Sequence, residues 1–404
     1  MDFKFTPYHV FVVGLLAFLQ FTVVLDFMIL SPLGVLVMSE LRIPTEKFGY
    51  VVSAYAFSAG ISGLIAAGFA DRFDRKKLLL FFYSGFVIAT FLCGIAIRYE
   101  FLLFVRILTG MFAGVLSSIS FAIVADLFPL QVRGRVMGFI MTAFAASQVF
   151  GLPIGIYISN LWGWQSPFLL IAGVSGLAGI AIFSFLKPVT KHLDNKTDQN
   201  AFHHLLTTLT EPKYLPSFVV TTLLATGGFM LMPFGSAFSV HNLGMRLEDL
   251  PLIYMVTGLV SMIGGPIMGR LSDSIGKYNM FLFASSIAAA IILYFTRLGV
   301  TSLPTVILIN SLLFVFIAAR MISANALNSA VPELHDRGAF MAISSSIQQI
   351  SGGFAATVAG LIVIQTPSGY LERYEVLGYV VAIAIVCTIL IMYKVNVMVS
   401  QKGK

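Results

Sequence analysis

Long apolar runs dominate the sequence and constrain the fold more than any other feature. Short polar segments separate the runs, which number twelve in our interpretation. They cover residues 8–38, 47–70, 78–97, 101–127, 134–160, 165–186, 214–241, 249–272, 277–298, 303–331, 337–364 and 374–394. Each is long enough for a helix that crosses a bilayer, which needs about 20 apolar residues.

The same pattern decides between helices and strands. A chain in lipid must satisfy its backbone hydrogen bonds internally, so only helices or closed barrels can span a membrane. The ten-residue alternation typical of barrel strands is absent from the sequence. We therefore predict an all-α integral membrane protein with twelve transmembrane helices.

Composition supports this class and excludes others. The chain is 58% hydrophobic and only 11% charged, whereas soluble domains carry about 25% charged residues. The net charge of +7 could suggest nucleic acid, but the basic residues lie in loops, so we expect no nucleic-acid partner. The two cysteines, Cys93 and Cys387, lie far apart in apolar runs and fit no disulfide or zinc pattern.

Lysine and arginine are distributed unevenly between the two membrane faces. The face that carries the N-terminus, which we call the basic face, receives most of them: Lys4, Arg72, Arg75, Lys76, Lys77, Arg133, Arg135, Lys187, Lys191, Lys196, Lys213, Arg270, Lys277, Arg337, Lys394, Lys402 and Lys404. The opposite face receives Arg42, Lys47, Arg98, Arg246, Arg297 and Arg373. The positive-inside rule then predicts a multi-pass inner-membrane protein with both termini in the cytoplasm. The first apolar run is too long for a cleaved signal, so we expect it to be retained.

An internal repeat divides the chain into two halves. Asp71 and Asp273 follow the second and eighth runs and are 202 positions apart, and the pairs Arg133-Gly134 and Arg337-Gly338 are 204 apart. Parallel repeats of six helices are a known transporter architecture. We predict an N-terminal six-helix bundle over residues 1–187, a cytoplasmic linker over 188–213 and a C-terminal six-helix bundle over 214–404.

Three charged residues lie inside the predicted spans: Asp26, Arg106 and Arg320. A charge at bilayer depth is costly and marks a functional candidate. Burial favours the neutral form of a carboxyl group, whereas a nearby arginine favours the ionised form. An arginine that approaches Asp26 in one conformation and withdraws in another would switch its proton affinity. A static ion pair that holds spans together is the alternative.

At this point the sequence resembles the major facilitator superfamily over nearly its whole length. Residues 67–76, AGFADRFDRK, resemble the family signature after the second span, although Gly68 is one place late and Asp74 replaces a glycine. Arg106 and Gly110 fit an Arg-x-x-x-Gly motif of the fourth span, and residues 151–155, GLPIG, resemble the antiporter motif of the fifth. The resemblance is strongest to the twelve-span drug/proton antiporters, which include multidrug and sugar efflux proteins.

The resemblance implies two six-helix bundles in a V around a central cavity, lined by spans 1, 4, 7 and 10. Asp26, Arg106 and Arg320 then face the solute pathway, with Asp26 and Arg106 in proton coupling and Arg320 in substrate binding. It also implies a charge network that closes the cytoplasmic side, to which we assign Asp71, Arg72, Arg75, Asp126 and Asp273. Topology anchoring is the alternative role for the arginines.

Neutral polar residues inside the spans are further candidates for substrate binding. They are Gln20, Tyr55, Gln148, Asn242, Asn310, Asn325 and Gln348. Such side chains often only hydrogen-bond neighbouring helices. His203 and His204 lie in the linker without a third ligand, so we predict no metal site.

Together these features predict a proton-coupled secondary transporter that exports small apolar or amphiphilic molecules. We expect it to act as a monomer in the lipid bilayer, with protons and a small-molecule substrate as its partners and with no cofactor. No nucleotide-binding loop or catalytic triad is found in the sequence, so we expect no enzyme. The alternatives are a transporter of sugars, organic anions or lipids, as an importer or uniporter, and a membrane receptor that does not transport.

Overall fold

The computed structural model describes residues 4–190, 193, 201–333 and 335–402, apart from the side chains of Asp71, Leu130, Ala201 and Lys402. The fold is all-α. The helices are α1 (Pro7–Ile29), α2 (Gly34–Leu41), α3 (Thr45–Phe69), α4 (Arg75–Cys93), α5 (Tyr99–Leu127), α6 (Leu130–Ala146), α7 (Leu152–Trp162), α8 (Ser166–Phe185), α9 (Ala201–Thr210), α10 (Leu215–Leu231), α11 (Gly235–His241), α12 (Leu250–Ile275), α13 (Lys277–Phe295), α14 (Leu303–Ala330), α15 (Arg337–Ile362) and α16 (Tyr374–Lys402). A short antiparallel hairpin joins α15 to α16, and its strands β1 (Ile364–Gln365) and β2 (Leu371–Glu372) have two residues each.

Eleven stretches of the described chain are long and apolar enough to cross a membrane. Each corresponds to one predicted span. The remaining predicted span is α15, which is 26 residues long but rich in serine, glutamine, glycine and alanine. It packs against α3 and α10, so close helix packing accounts for its small, polar composition.

Proline breaks the first helix of each half. The predicted span 8–38 divides into α1 and α2 at a turn that contains Pro32, and the span 214–241 divides into α10 and α11 at a 3₁₀ turn over Met232–Phe234. A π-helical turn over Ser147–Gly151 separates α6 from α7 in the fifth span. Each half thus begins with a broken helix, as the internal repeat suggests.

The two halves meet tightly at the face opposite the basic one. The Thr45 hydroxyl donates a hydrogen bond to the Val363 carbonyl at 2.6 Å, and the Ser236 hydroxyl donates one to the Ser31 carbonyl at 3.2 Å. The Asn160 amide donates to the Leu247 carbonyl at 3.0 Å. These bonds join the ends of the helices, so the opposite face is closed.

Helices α3 and α15 pack along most of their length through glycine. A Cβ atom at Gly49 would lie 2.9 Å from the Ala356 carbonyl oxygen, and one at Gly60 would lie 2.9 Å from the Ser346 carbonyl oxygen. Neither position has room for a side chain. The contact therefore depends on bare backbone at these two points.

Helices α6 and α12 separate toward the basic face. A Cβ atom at Gly258 would lie 3.2 Å from the Gln148 carbonyl oxygen, next to the π-turn. Gly265 is two turns further along the same side of α12, and a Cβ atom there would meet nothing within 4 Å. The same holds for Gly138 on α6. From this difference we infer a cleft between the halves that opens on the basic face.

The linker contributes one helix, α9, near the basic face. Phe202 of α9 packs beside α3. Leu205 of the same helix packs in the core of the second half. The His204 Nε2 atom lies 2.9 Å from Asp336 Oδ1, just before α15. Helix α9 spans Ala201–Thr210 of the linker. Most of the linker before it lies outside the described residues.

Candidate proton and substrate site

Asp26 and Arg106 form an ion pair inside the first half. Arg106 Nη1 lies 3.0 Å from Asp26 Oδ2, and the side chains are 1% and 0% exposed. The Thr90 hydroxyl donates a hydrogen bond to the other carboxylate oxygen, Oδ1, at 3.1 Å. Both oxygens of the carboxylate therefore have a donor, as a buried carboxylate requires.

Aromatic rings hold the Arg106 guanidinium in place. Its carbon atom lies 4.5 Å from the centre of the Tyr55 ring and 6.0 Å from that of Phe168, both within the range of a cation–π interaction. The Nε atom is buried and has no hydrogen-bond partner in the described part of the chain. Arg106 therefore depends on Asp26 for most of its compensation.

Gly110 explains how Arg106 reaches this position. It lies one turn after Arg106 on the same side of α5, and a Cβ atom there would overlap the Tyr55 carbonyl oxygen and the Ser58 hydroxyl. The glycine lets α5 approach α3 closely, which brings Arg106 over the Tyr55 ring. The Arg-x-x-x-Gly spacing is thus a packing device that positions the guanidinium.

An aromatic contact links the ion pair to the second half. Phe27 follows Asp26 directly, and its ring centre lies 5.2 Å from that of Tyr55 and 5.6 Å from that of Phe229 on α10. A movement of one half against the other must change this contact. The backbone next to Asp26 is therefore coupled to the relative position of the halves.

Arg320 lies inside the second half and has no carboxylate partner in the described part of the chain. Its side chain is 3% exposed, and its Nε and Nη2 atoms are buried with no hydrogen-bond partner among the described residues. The Phe281 ring centre lies 6.0 Å from its guanidinium carbon. The two arginines thus differ, because only Arg106 is paired.

Comparisons with known proteins decide the family. The sequence profile of the Major Facilitator Superfamily matches residues 16–356. The chain belongs to the major facilitator superfamily. Proteins of this family are transport proteins, and this chain is a multi-pass membrane protein like its bacterial relatives.

Individual relatives and a solved structure agree with this assignment. The chain is 23% identical over 333 residues to Multidrug resistance protein 2 of Bacillus subtilis, covering 80% of this chain and 82% of that protein. It is 22% identical over 292 residues to a "Probable sugar efflux transporter" of Helicobacter pylori, covering 72% and 73%. A bacterial homologue of the human lysosomal transporter Spinster, solved in an inward-facing and unoccupied conformation, has a similar fold, with a TM-score of 0.75 at 14% identity and coverage of 98% and 97%.

The other predicted substrate residues differ in their exposure and in their contacts. Asn325 and Gln348 are exposed and Gln148 is half-buried. Gln20 is buried and accepts a hydrogen bond from the Ser117 hydroxyl at 3.1 Å. Tyr55 belongs to the ion-pair site. Their roles in substrate binding stay predictions.

Two further predicted substrate residues hydrogen-bond to backbone groups of the protein. The Asn242 side chain donates to the Leu371 carbonyl and accepts from the Leu371 N–H, both at 2.9 Å, which fixes β2 at the opposite face. The Asn310 amide donates to the Val306 carbonyl of its own helix at 2.9 Å. These hydrogen bonds stabilise the fold, and substrate binding by Asn242 and Asn310 stays a prediction.

The predicted gating residues lie at the basic face, and each of two ion pairs that they form stays within one half. Arg75 Nε lies 3.2 Å from Asp126 Oδ2, and both belong to the first half. Arg72 is exposed, and the side chain of Asp71 lies outside the described residues. Asp273 is exposed and pairs with Lys277 on the adjoining turn. A gate remains a prediction for a state in which the basic face closes.

One group among the described residues could hold a metal ion: Glu333, His335 and Asp336. The Asp336 carboxylate already accepts a hydrogen bond from the Tyr214 hydroxyl at 2.6 Å, and His204 adjoins it from the linker. Two of these groups are exposed. The arrangement serves equally well as a polar tie between linker and α15.

Sequence reasoning missed Thr90, Phe27 and Phe229. A threonine or phenylalanine in an apolar span is common, so neither residue type gives a signal of its own. Their importance comes from positions across three helices, which one sequence does not reveal. For Phe27, adjacency to Asp26 was the available clue.

Proposed function

We propose that this protein is a proton-coupled secondary transporter that exports small apolar or amphiphilic molecules by alternating access, with Asp26 as the proton-binding group. The observation that supports it is the buried Asp26–Arg106 pair. A fully buried pair costs several kcal/mol of desolvation per ion, so it is weak evidence for a purely stabilising role. A functional role for the pair is the better explanation.

The geometry suggests how a proton and Arg106 compete. A proton on Asp26 removes the negative charge that compensates Arg106, and the guanidinium then gains from moving away toward other acceptors. A deprotonated Asp26 draws it back to 3.0 Å. Because Phe27 and Phe229 touch across the halves, a shift at Asp26 is coupled to their relative position. Arg106 is thus the modulator of the proton site.

We further propose that the basic face is cytoplasmic and that the protein resides in the inner membrane. The positive-inside rule supports this orientation. The cleft between α6 and α12 then opens to the cytoplasm, from which an exporter loads its substrate. The proton gradient would supply the energy, at about 2.3 kcal/mol per charge per 100 mV.

A second candidate function is transport of sugars, organic anions or lipids, in either direction. The sugar efflux relative and the unpaired Arg320 favour it. With Asp26 ionised, the predicted spans hold two positive charges, on Arg106 and Arg320, and one negative charge. This balance suits neutral or anionic substrates better than cations.

Proteoliposomes with an internal pH dye test the function. Cationic, neutral and anionic compounds are added one at a time to wild type, to Asp26→Asn and to Glu40→Gln, whose carboxylate is exposed. We expect compound-driven proton movement in wild type and Glu40→Gln and none in Asp26→Asn. Solute flux without proton movement in wild type would refute proton coupling and support a uniporter.

A further inference from the structure

In the C-terminal half, an arginine that has no counter-ion among the described residues lies next to a glycine that corresponds to Asp26. Both broken helices carry a Pro-x-Gly turn, Pro32-Leu33-Gly34 and Pro233-Phe234-Gly235, and the two turns are 201 positions apart. The same separation takes Asp26 to Gly227. Where the first half has a carboxylate, the second half has no side chain.

Arg320 points at this glycine. A Cβ atom at Gly227 would lie 3.5 Å from Arg320 Nη1 and 3.6 Å from Val381 Cγ1, which are ordinary contact distances. A Cβ atom at 227 would therefore fit and would contact the guanidinium. Glycine leaves room beside a buried cation.

Arg320 is not the repeat copy of Arg106. The Arg-Gly pairs of the two halves are 204 positions apart, and this separation takes Arg106 to Asn310. In the second half, Gly227 thus stands at the position of the acid and Asn310 at the position of the base. The guanidinium beside Gly227 comes from Arg320, about three turns after Asn310 on α14.

The cost of this arrangement points to a ligand. A buried ion without a partner loses its hydration and gains nothing in return. Arg320 Nε and Nη2 are buried and unpaired within the described chain, although Arg106 shows that the fold can compensate an arginine with one carboxylate. A guanidinium prefers carboxylate or phosphate oxygens as partners.

Gly228, the residue after Gly227, is exposed, and a Cβ atom added to it would meet nothing within 4 Å. The next residue, Phe229, makes the aromatic contact with Phe27. Asp26 comes one residue before Phe27 and Gly227 comes two residues before Phe229, so both positions are close in sequence to one contact between the halves.

We propose that Arg320, beside Gly227, binds the anionic group of the transported molecule, a carboxylate or phosphate attached to an apolar body. This inference rests on the proposed transport function and adds the substrate's charge class. A small inorganic anion would offer the same chemistry, so the test must separate the two sources.

Equilibrium dialysis of the full-length protein in nanodiscs tests the proposal with three matched probes: 2-naphthoate, 2-naphthamide and inorganic phosphate. We expect wild type to bind naphthoate more tightly than naphthamide. Arg320→Gln should weaken naphthoate binding roughly 10- to 100-fold, the usual effect of losing a charged hydrogen-bond partner, and should leave naphthamide unaffected. Arg320→Lys should retain part of the preference.

Gly227→Asp is the decisive variant, because it supplies the counter-ion from the chain itself. We expect it to weaken naphthoate binding as strongly as Arg320→Gln does. Gly228→Asp adds the charge one residue away and should bind naphthoate within about threefold of wild type, a change near the usual scatter of such effects. Gly227→Asn fills the same space without the charge and should weaken naphthoate binding less than Gly227→Asp does. Thermal unfolding of each variant shows whether it is folded, and Gly227→Asp should be more stable than Gly227→Asn only when Arg320 is present.

Two results would overturn the inference. One is unchanged naphthoate affinity in both Arg320→Gln and Gly227→Asp. The other is Arg320-dependent binding of inorganic phosphate without any preference for naphthoate over naphthamide, which would identify a site for a free anion. Because binding is measured without a proton gradient, failure of proton coupling at Asp26 leaves these outcomes unaffected.

Discussion

Two arginines in the same fold show how the surroundings of a residue determine its role. Arg106 is paired with Asp26 at 3.0 Å and lies over Tyr55, whereas Arg320 has no carboxylate among the described residues and lies over Phe281. Removing one partner of a buried pair strands the other charge, whereas removing an unpaired charge strands nothing. The two arginines should therefore respond in opposite ways to substitution.

Arg106→Met should destabilise the protein by about 3–5 kcal/mol, because it leaves the Asp26 carboxylate buried without its cation. Asp26→Asn in the same chain should recover part of that loss. Arg320→Met should leave the thermal midpoint unchanged or raise it. Thermal unfolding in one detergent compares all four proteins, and equal losses for the two arginine variants would refute the distinction.

Glycines between helices should respond according to the space beside them. A Cβ atom at Gly49 meets the Ala356 carbonyl oxygen at 2.9 Å, so Gly49→Ala must push α3 and α15 apart and should cost about 1–3 kcal/mol. Gly265→Ala has nothing within 4 Å and should be neutral or up to about 1 kcal/mol stabilising, because alanine favours helix. Unfolding midpoints that fall equally in both variants would contradict this packing.

The linker helix α9 should be held by a pH-dependent tie. The Tyr214 hydroxyl and His204, with His335 nearby at 3.3 Å, hold the pKa of Asp336 below its ordinary value. Because the pKa of Asp336 is lower in the folded tie, the ionised carboxylate stabilises the tie above about pH 4, the ordinary carboxyl value. This stabilisation is lost as the pH falls through the lower pKa of the folded state. The tie is partly exposed, so we expect at most about 1 kcal/mol.

A spin label on Thr207→Cys, in a Cys387→Ser background, checks this tie. The label should be immobile at pH 7 and become mobile below about pH 4. Asp336→Asn should make it mobile already at pH 7. A label whose mobility is independent of pH and of Asp336 would refute the tie.

The elements show what the sequence could and could not predict. Apolar runs predicted the spans, since burial in lipid dictates their length and composition. Pro32 was expected to kink the predicted span 8–38, but a full break into two helices could not be predicted, because proline is tolerated in transmembrane helices. The hydrogen bond of Asn242 with Leu371 could not be predicted, because it joins segments 129 positions apart. The same limit hid Thr90 from the Asp26 site.

At the scale of the whole molecule, the halves touch at the opposite face and separate at the basic face between α6 and α12. Alternating access requires the reverse arrangement as well. The Thr45–Val363 hydrogen bond of 2.6 Å must then break in each cycle. A covalent bond at this point should hold the protein in the state seen here.

Thr45→Cys with Val363→Cys, in a Cys387→Ser background, should form a disulfide under mild oxidation and stop transport. A maleimide should still label a cysteine placed at Gly265, because the basic-face cleft stays open. Reduction should restore transport, which serves as the control. Full transport by the oxidised protein would contradict the requirement that the opposite face opens.

The central claim is that Asp26 couples protons to transport. The most direct measurement compares two modes in proteoliposomes with one transported compound: exchange of labelled for unlabelled substrate, and accumulation driven by a proton gradient. Asp26→Asn should keep exchange and lose accumulation, because the halves still alternate but no proton is bound. Accumulation by Asp26→Asn at the wild-type level would contradict the account and leave the buried pair with a structural role.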